Sequence, residues 1–120
     1  MTAPDPQHPY SPAVRRGNLV FVSGSLSVDR EFRPVQGRHE ALAAALERMT
    51  ERLATVDAAL GDVVKLTYFV TDGTLRDEAN EQYLAAFEPP RPARTFVEVS
   101  GLPYGSTVEI DAIAVTGETA

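Results

Sequence analysis

Thr107 to Val115 reads TVEIDAIAV, and the two sides of this stretch differ in character. In a strand, successive side chains point to opposite faces. Val108, Ile110, Ala112 and Ala114 therefore share one wholly apolar face. Thr107, Glu109, Asp111, Ile113 and Val115 share the other, where two carboxylates stand among apolar neighbours. The first face asks for a covering layer of helices, and the second is the face those helices leave open.

Working outward, Ala93 to Ser100 (ARTFVEVS) reads as the preceding strand, ended by Gly101-Leu102-Pro103. Its alternation sets Arg94, Phe96, Glu98 and Ser100 against Thr95, Val97 and Val99, the set that suits a core. With these two strands as neighbours, Arg94, Glu98, Glu109 and Asp111 would belong to one polar surface. Val63 to Val70 (VVKLTYFV) is rich in β-branched and aromatic residues and reads as another strand. Leu19 to Val22 forms a strand ending at Ser23-Gly24, entered by a shorter one around Ala13–Arg15 with Gly17-Asn18 as the turn. Residues 27–37 read as a loop with at most one short edge strand.

Between these strands the period changes. Leu42, Ala45, Leu46, Met49, Leu53, Val56 and Leu60 recur at spacings of three and four, with Arg38, Glu40, Glu47, Arg48, Glu51 and Arg52 on the other face. The pattern predicts an amphipathic helix of about six turns, ending at Gly61. Thr74 and Asp77 resemble a capping box for a second helix, whose apolar face holds Leu75, Ala79, Tyr83, Ala86 and Phe87 and which Pro89-Pro90 stops. The order is strand, strand, helix, strand, helix, strand, strand. Two helices are too few to cover both faces of such a sheet, so the expectation is an α+β two-layer sandwich with both helices on one face. An apolar open face would be covered most simply by self-association.

At 120 residues the chain has the size of a single domain, 1–120, with residues 1–9 expected as a loosely ordered arm. There is no Cys, which removes disulfides, thiolate nucleophiles and Cys-based metal sites. His8 and His39 lie far apart and in no ligand-spaced motif, and His39 reads as a surface residue, so no metal site is expected. Ten of the eleven basic residues are Arg, and any Schiff-base chemistry would rest on Lys65 alone. A net charge of -6 disfavours nucleic acid as a partner. The absence of a long apolar run and of a secretory signal points to a soluble cytoplasmic protein away from membranes.

Two readings of the charged residues stand side by side. One is cross-strand ion pairing on a sheet face, worth about 0–1 kcal/mol per exposed pair. The other is a site, with Arg94 offering a planar fork to a small carboxylic acid and a nearby Glu orienting or deprotonating a water. Tyr10, Ser11 and Ser23 add hydroxyls, and Gly24 permits close backbone approach or simply makes a turn.

Tyr10-Ser11-Pro12 and Gly17-Asn18-Leu19-Val20-Phe21-Val22-Ser23-Gly24 resemble the opening of the RidA/YjgF family, also labelled endoribonuclease L-PSP. The resemblance continues through Gly61–Lys65, Asn80–Tyr83 and Arg91–Thr95, and is most specific in Val97-Glu98-Val99, Leu102-Pro103 and Val108–Val115. It covers about residues 9 to 116. It implies a chorismate-mutase-like α+β fold with a mixed sheet, assembled as a homotrimer with clefts between subunits. It also implies cofactor-independent deamination of 2-enamine and 2-imine acids, such as 2-aminoacrylate and 2-iminopropionate, to 2-oxo acids and ammonia. Arg94 matches the arginine that binds the substrate carboxylate, and Glu109 the acidic residue near the attacking water. Tyr10, Ser23, Gly24, Asn80 and Phe96 match positions lining the cleft, Phe96 standing where several members carry Cys. The alternatives are a trimeric small-carboxylate binding or regulatory protein without turnover, and an endoribonuclease or translation inhibitor.

Overall fold

The chain enters its sheet through a two-residue hairpin. Arg16 pairs with Leu19, and between them Gly17 takes a φ of 60°, the left-handed backbone that glycine adopts without steric penalty. In the computed structural model, which describes residues 8–117, this hairpin joins β1 (Ala13–Arg16) to β2 (Leu19–Leu26). There follow α1 (Arg38–Ala54), β3 (Val63–Val70), α2 (Arg76–Ala86), β4 (Ala93–Glu98) and β5 (Val108–Val115). Of the arm expected over residues 1–9, residues 1–7 lie outside the described residues.

The strand order is β1-β2-β5-β3-β4, with β3 and β4 parallel and every other pair antiparallel. The fold is thus α+β with a mixed sheet. Helix α1 lies against β2 and β5 and touches α2. Leu42, Met49 and Leu53 from α1 meet Leu66 and Tyr68 of β3 and Ile110 of β5, all fully buried. Burying each such side chain contributes about 1.5–3 kcal/mol, and truncating one to Ala costs about 2–5 kcal/mol. No helix among the described residues is long and apolar enough to cross a membrane.

The alternation expected for β5 holds: Val108, Ile110, Ala112 and Ala114 are buried under the helices. The opposite face stays open, leaving Leu19 at 40% and Phe21 at 44% exposure. Four local expectations are corrected. Helix α1 ends at Ala54 rather than Gly61, because Asp57 takes a left-handed φ of 58° and the Ala58 N–H closes back on the Leu53 carbonyl. The second helix is opened not by Thr74 and Asp77 but by Asp72, whose side chain accepts from the Thr74 N–H ahead of a short turn at Gly73–Leu75. Strand β2 does not stop at Ser23-Gly24 but continues across a bulge to Leu26.

The fourth correction decides where the site residues lie. β4 and β5 are not neighbours, because β3 runs between them. Arg94 pairs with Leu66 and Phe96 with Tyr68, both buried under the helices, so Arg94 and Phe96 sit on the helix side. Thr95 and Val97, expected in the core, are exposed on the open side. Arg94, Glu98, Glu109 and Asp111 therefore do not form one surface.

Candidate functional site

The functional candidates fall into two groups on opposite faces of the sheet. The first is built around Arg94 on the edge strand β4. Its guanidinium lies over three rings, with centroids 5.1 Å away for Tyr83, 5.5 Å for Tyr68 and 5.8 Å for Phe96. Each such contact contributes about 0.5–2 kcal/mol and fixes the plane of the fork. The rings are themselves anchored: Tyr83 donates its hydroxyl to the Pro92 carbonyl at 2.7 Å, and Tyr68 donates to Gln82 at 2.9 Å. Burial pushes the Tyr68 phenol up to about 12, against the pull of the Arg94 cation, so the ring beneath Arg94 stays neutral.

Aromatic faces hold a cation without using its hydrogen-bond donors. Accordingly, Arg94 Nη1 is buried and has no hydrogen-bond partner among the described residues. A buried donor left unmatched costs about 1–3 kcal/mol, so the arrangement is suited to an incoming acceptor. Asn80, Tyr83, Leu84, Pro92, Ala93 and Arg94 line a cleft of about 450 Å³ at this edge. Of the expected site residues, Arg94, Asn80 and Phe96 lie together here.

The second group forms at the bulge in β2. Val22 pairs with Ala112 but Ser25 with Ile110, so β2 carries one residue more than β5 across this interval. A bulge of this kind bends its strand and re-aims side chains. The turned segment is tied down on its outer side, where the Ser23 N–H donates to the Pro12 carbonyl at 3.0 Å and the Ser23 hydroxyl to the Ser11 carbonyl at 2.6 Å. On the open face Glu109 occupies the space over Gly24: a Cβ there would stand 2.2 Å from Glu109 Oε2. Gly24 is therefore the residue that makes room for this carboxylate.

Glu109 is half-buried, and burial pushes its carboxyl above the ordinary value. The Asp111 carboxylate on the same face adds to this, while the Arg52 cation opposes it. Asp111 is also held up by burial, offset by a hydrogen bond from Thr67 and by the charge of Lys65. Lys65 donates to Thr95 at 2.8 Å and to Thr67 at 3.3 Å, extending a polar line across the open face. Tyr10, Ser23, Gly24 and Glu109 are brought together at this bulge, apart from Arg94.

His39 lies on the surface, 3.2 Å from Glu81. Sequence reasoning missed Arg52, which it assigned to the solvent side of α1. The residue is 8% exposed and donates to the carbonyls of Gly24 at 3.0 Å and Ser23 at 3.3 Å. The available signal was spacing: Arg52 follows Met49 by three, which places it on the apolar stripe. Tyr68 and Tyr83 were read as structural strand and helix residues, and only the fold reveals them as the floor beneath Arg94.

A family model described as Endoribonuclease L-PSP matches residues 1–116. The 2-iminobutanoate/2-iminopropanoate deaminase of Mus musculus is 35% identical over 117 residues, covering 96% of this chain and 87% of that protein. The crystal structure of a candidate endoribonuclease from Thermotoga maritima is 41% identical, with a TM-score of 0.87 over 97% of this chain and 93% of that one. Escherichia coli TdcF, crystallised with bound serine, is 28% identical, with a TM-score of 0.81 over 96% of this chain and 94% of that one. A match over nearly the whole length, in both sequence and fold, places this chain in the RidA/YjgF family, which also carries the label endoribonuclease L-PSP.

Proposed function

We propose that this chain is a cofactor-independent deaminase of reactive 2-imino and 2-enamino acids, acting as a homotrimer of chorismate-mutase-like design. In each cleft, Arg94 of one copy would meet Glu109 of the next. The observation that carries this reading is the buried, unpartnered Nη1 of Arg94, a planar cation held by rings and open to a carboxylate. The separation of Arg94 and Glu109 onto opposite faces supports a shared site, since one chain alone does not bring them together. The open apolar face around Leu19 and Phe21 gives a second copy something to cover. The deaminase activity named for the mouse relative and the serine bound by TdcF both agree with a small amino- or imino-acid ligand.

The chemistry follows from these groups. Arg94 binds the substrate carboxylate in two charge-assisted hydrogen bonds and sets the position of the imine carbon. Water attacks that carbon while Glu109 orients it and takes its proton. The oxygen–carbon bond forms, and Glu109 returns the proton to the nitrogen. Glu109 then carries the proton of the new hydroxyl to the amino nitrogen, and the carbon–nitrogen bond breaks as the carbonyl forms, releasing ammonia and the 2-oxo acid. A carboxyl raised above its ordinary value by burial is well matched to this two-way proton transfer. Tyr10 and Ser23 line the water side, and Asn80 and Phe96 the carboxylate side.

The test is to generate 2-iminopropionate in situ and follow its decay. The protein should accelerate decay, and Arg94→Ala should lose about a hundredfold or more in kcat/KM, the worth of two hydrogen bonds to a charged group. No acceleration, or an Arg94→Ala variant as fast as wild type, overturns the proposal. The bound serine of TdcF favours a second reading, a carboxylate-binding protein without turnover. Calorimetry with 2-oxo acids separates the two, since that reading requires binding through Arg94 with no acceleration of decay.

A further inference from the structure

Buried arginines need a reason, and Arg52 has no carboxylate in an ion pair with it among the described residues. Its side chain leaves α1 between Met49 and Leu53 and runs under the bulge of β2. One guanidinium nitrogen, Nη1, donates to both bulge carbonyls, Ser23 and Gly24. Gly24 is the residue against which the Glu109 carboxylate lies, so Arg52 approaches from the helix side the same two residues that Glu109 approaches from the open side. Burial pulls the Arg52 guanidinium below its ordinary value and the nearby Arg48 pulls it the same way, whereas Tyr10 and Glu109 favour the charged form.

We infer that Arg52 is a positioning residue for Glu109, fixing from the helix side the Ser23-Gly24 bulge on which that carboxylate rests and placing a cation behind it. The charged and titratable groups facing Glu109 are few. Asp111 lies on its own strand and Arg52 comes from α1. Tyr10, from the segment before β1, acts on Arg52 and favours its charged form. From β3, Lys65 reaches Asp111 by way of Thr67. Arg52 is thus the cation acting directly on Glu109, and its effect is opposed by Asp111. A carboxylate that must receive a proton from water works only when ionised, so Arg52 would set the acidic end of the working range.

The role as a positioning residue rests on the proposed deaminase reading, but the electrostatic part is testable without it. Side-chain carboxyl carbons of Glu109 and Asp111 are titrated by 13C NMR in wild type, Arg52→Met and Arg52→Lys. Met keeps the aliphatic stem in the core, and Lys keeps the charge. The expected result is an upward displacement of the Glu109 midpoint in Arg52→Met, a small one for Asp111, and recovery in Arg52→Lys. In the imine assay, Arg52→Met should lose about tenfold more kcat/KM on the acid limb than on the alkaline plateau, the effect of removing one close unlike charge. An unchanged Glu109 midpoint overturns the inference, as do equal movements of both carboxyls, which report a loosened bulge. If the wild type shows no turnover while the NMR shifts appear as expected, the deaminase reading fails and the coupling between Arg52 and Glu109 stands.

Discussion

Arg94 and Glu109 lie on one sheet with a single strand between them, yet the chain prepares them by different means. Arg94 sits in regular structure: β4 pairs without interruption along β3, and plain alternation delivers the guanidinium onto the rings of Tyr68, Tyr83 and Phe96. Glu109 depends on an irregularity, the extra residue in β2, and on a glycine opposite it. The Arg94 edge is regular and electrostatically quiet, because aromatic faces hold the cation without titrating beside it. The Glu109 bulge is loaded with charge: Asp111 and the buried Arg52 act on Glu109 in opposite senses. Substrate capture suits the first kind of construction, and proton transfer the second.

The comparison breaks most sharply if both halves prove to be used within one chain. Arg94→Ala and Glu109→Gln should each be nearly inactive toward 2-iminopropionate. Co-expressed in equal amounts, they should recover about one quarter of wild-type activity. In a randomly mixed ring each cleft draws Arg94 from one chain and Glu109 from its neighbour, and both are intact about one time in four. Activity no greater than that of the single variants, in oligomers shown by mass to be mixed, would mean that the two faces do not meet.

A smaller effect separates the two constructions. Gly24→Ala introduces a methyl group 2.2 Å from Glu109 Oε2, so the carboxylate must move. The flexible Glu side chain yields, and the chain still folds. Turnover should nevertheless fall about 10- to 100-fold, the usual result of displacing a catalytic group by about an ångström. Gly61→Ala, where nothing lies within 4 Å, is the control and should be as active as wild type. Carboxylate binding measured by calorimetry should be retained in Gly24→Ala, because the Arg94 edge is untouched.

The same contrast explains how much of this was legible in the sequence. The β5 stretch announced its buried face because four consecutive inward positions are apolar, a local signal that burial confirms. β4 announced the wrong face. Thr95 and Val97 suit either side of a sheet, and an arginine suggests solvent, whereas the rings that accept Arg94 come from β3 and α2, distant in the chain. The bulge was invisible because it is a mismatch of register between β2 and β5, which neither strand encodes alone. The end of α1 was missed because Asp57, not a glycine, takes the left-handed turn. The site residues named from family resemblance divide between two faces of the sheet, and seeing that division needed the strand order.

The smallest effect concerns stability. Because burial raises the Asp111 carboxyl above its ordinary value, the folded chain binds its proton more readily than the unfolded chain does. Stability from this group is therefore fully present below the unfolded value and is lost as pH rises through the folded one. Glu109 acts in the same sense. Asp111→Asn keeps an oxygen to accept from Thr67 but carries no charge, so it should match wild type in acid and exceed it at neutral pH. The gain should be about one or two degrees in Tm, since the group is half-buried and screened by solvent. Thermal unfolding across the acidic range checks it. A variant with the same pH slope as wild type would show that the open face carries no electrostatic strain, which would remove the distinction between a loaded bulge and a quiet Arg94 edge.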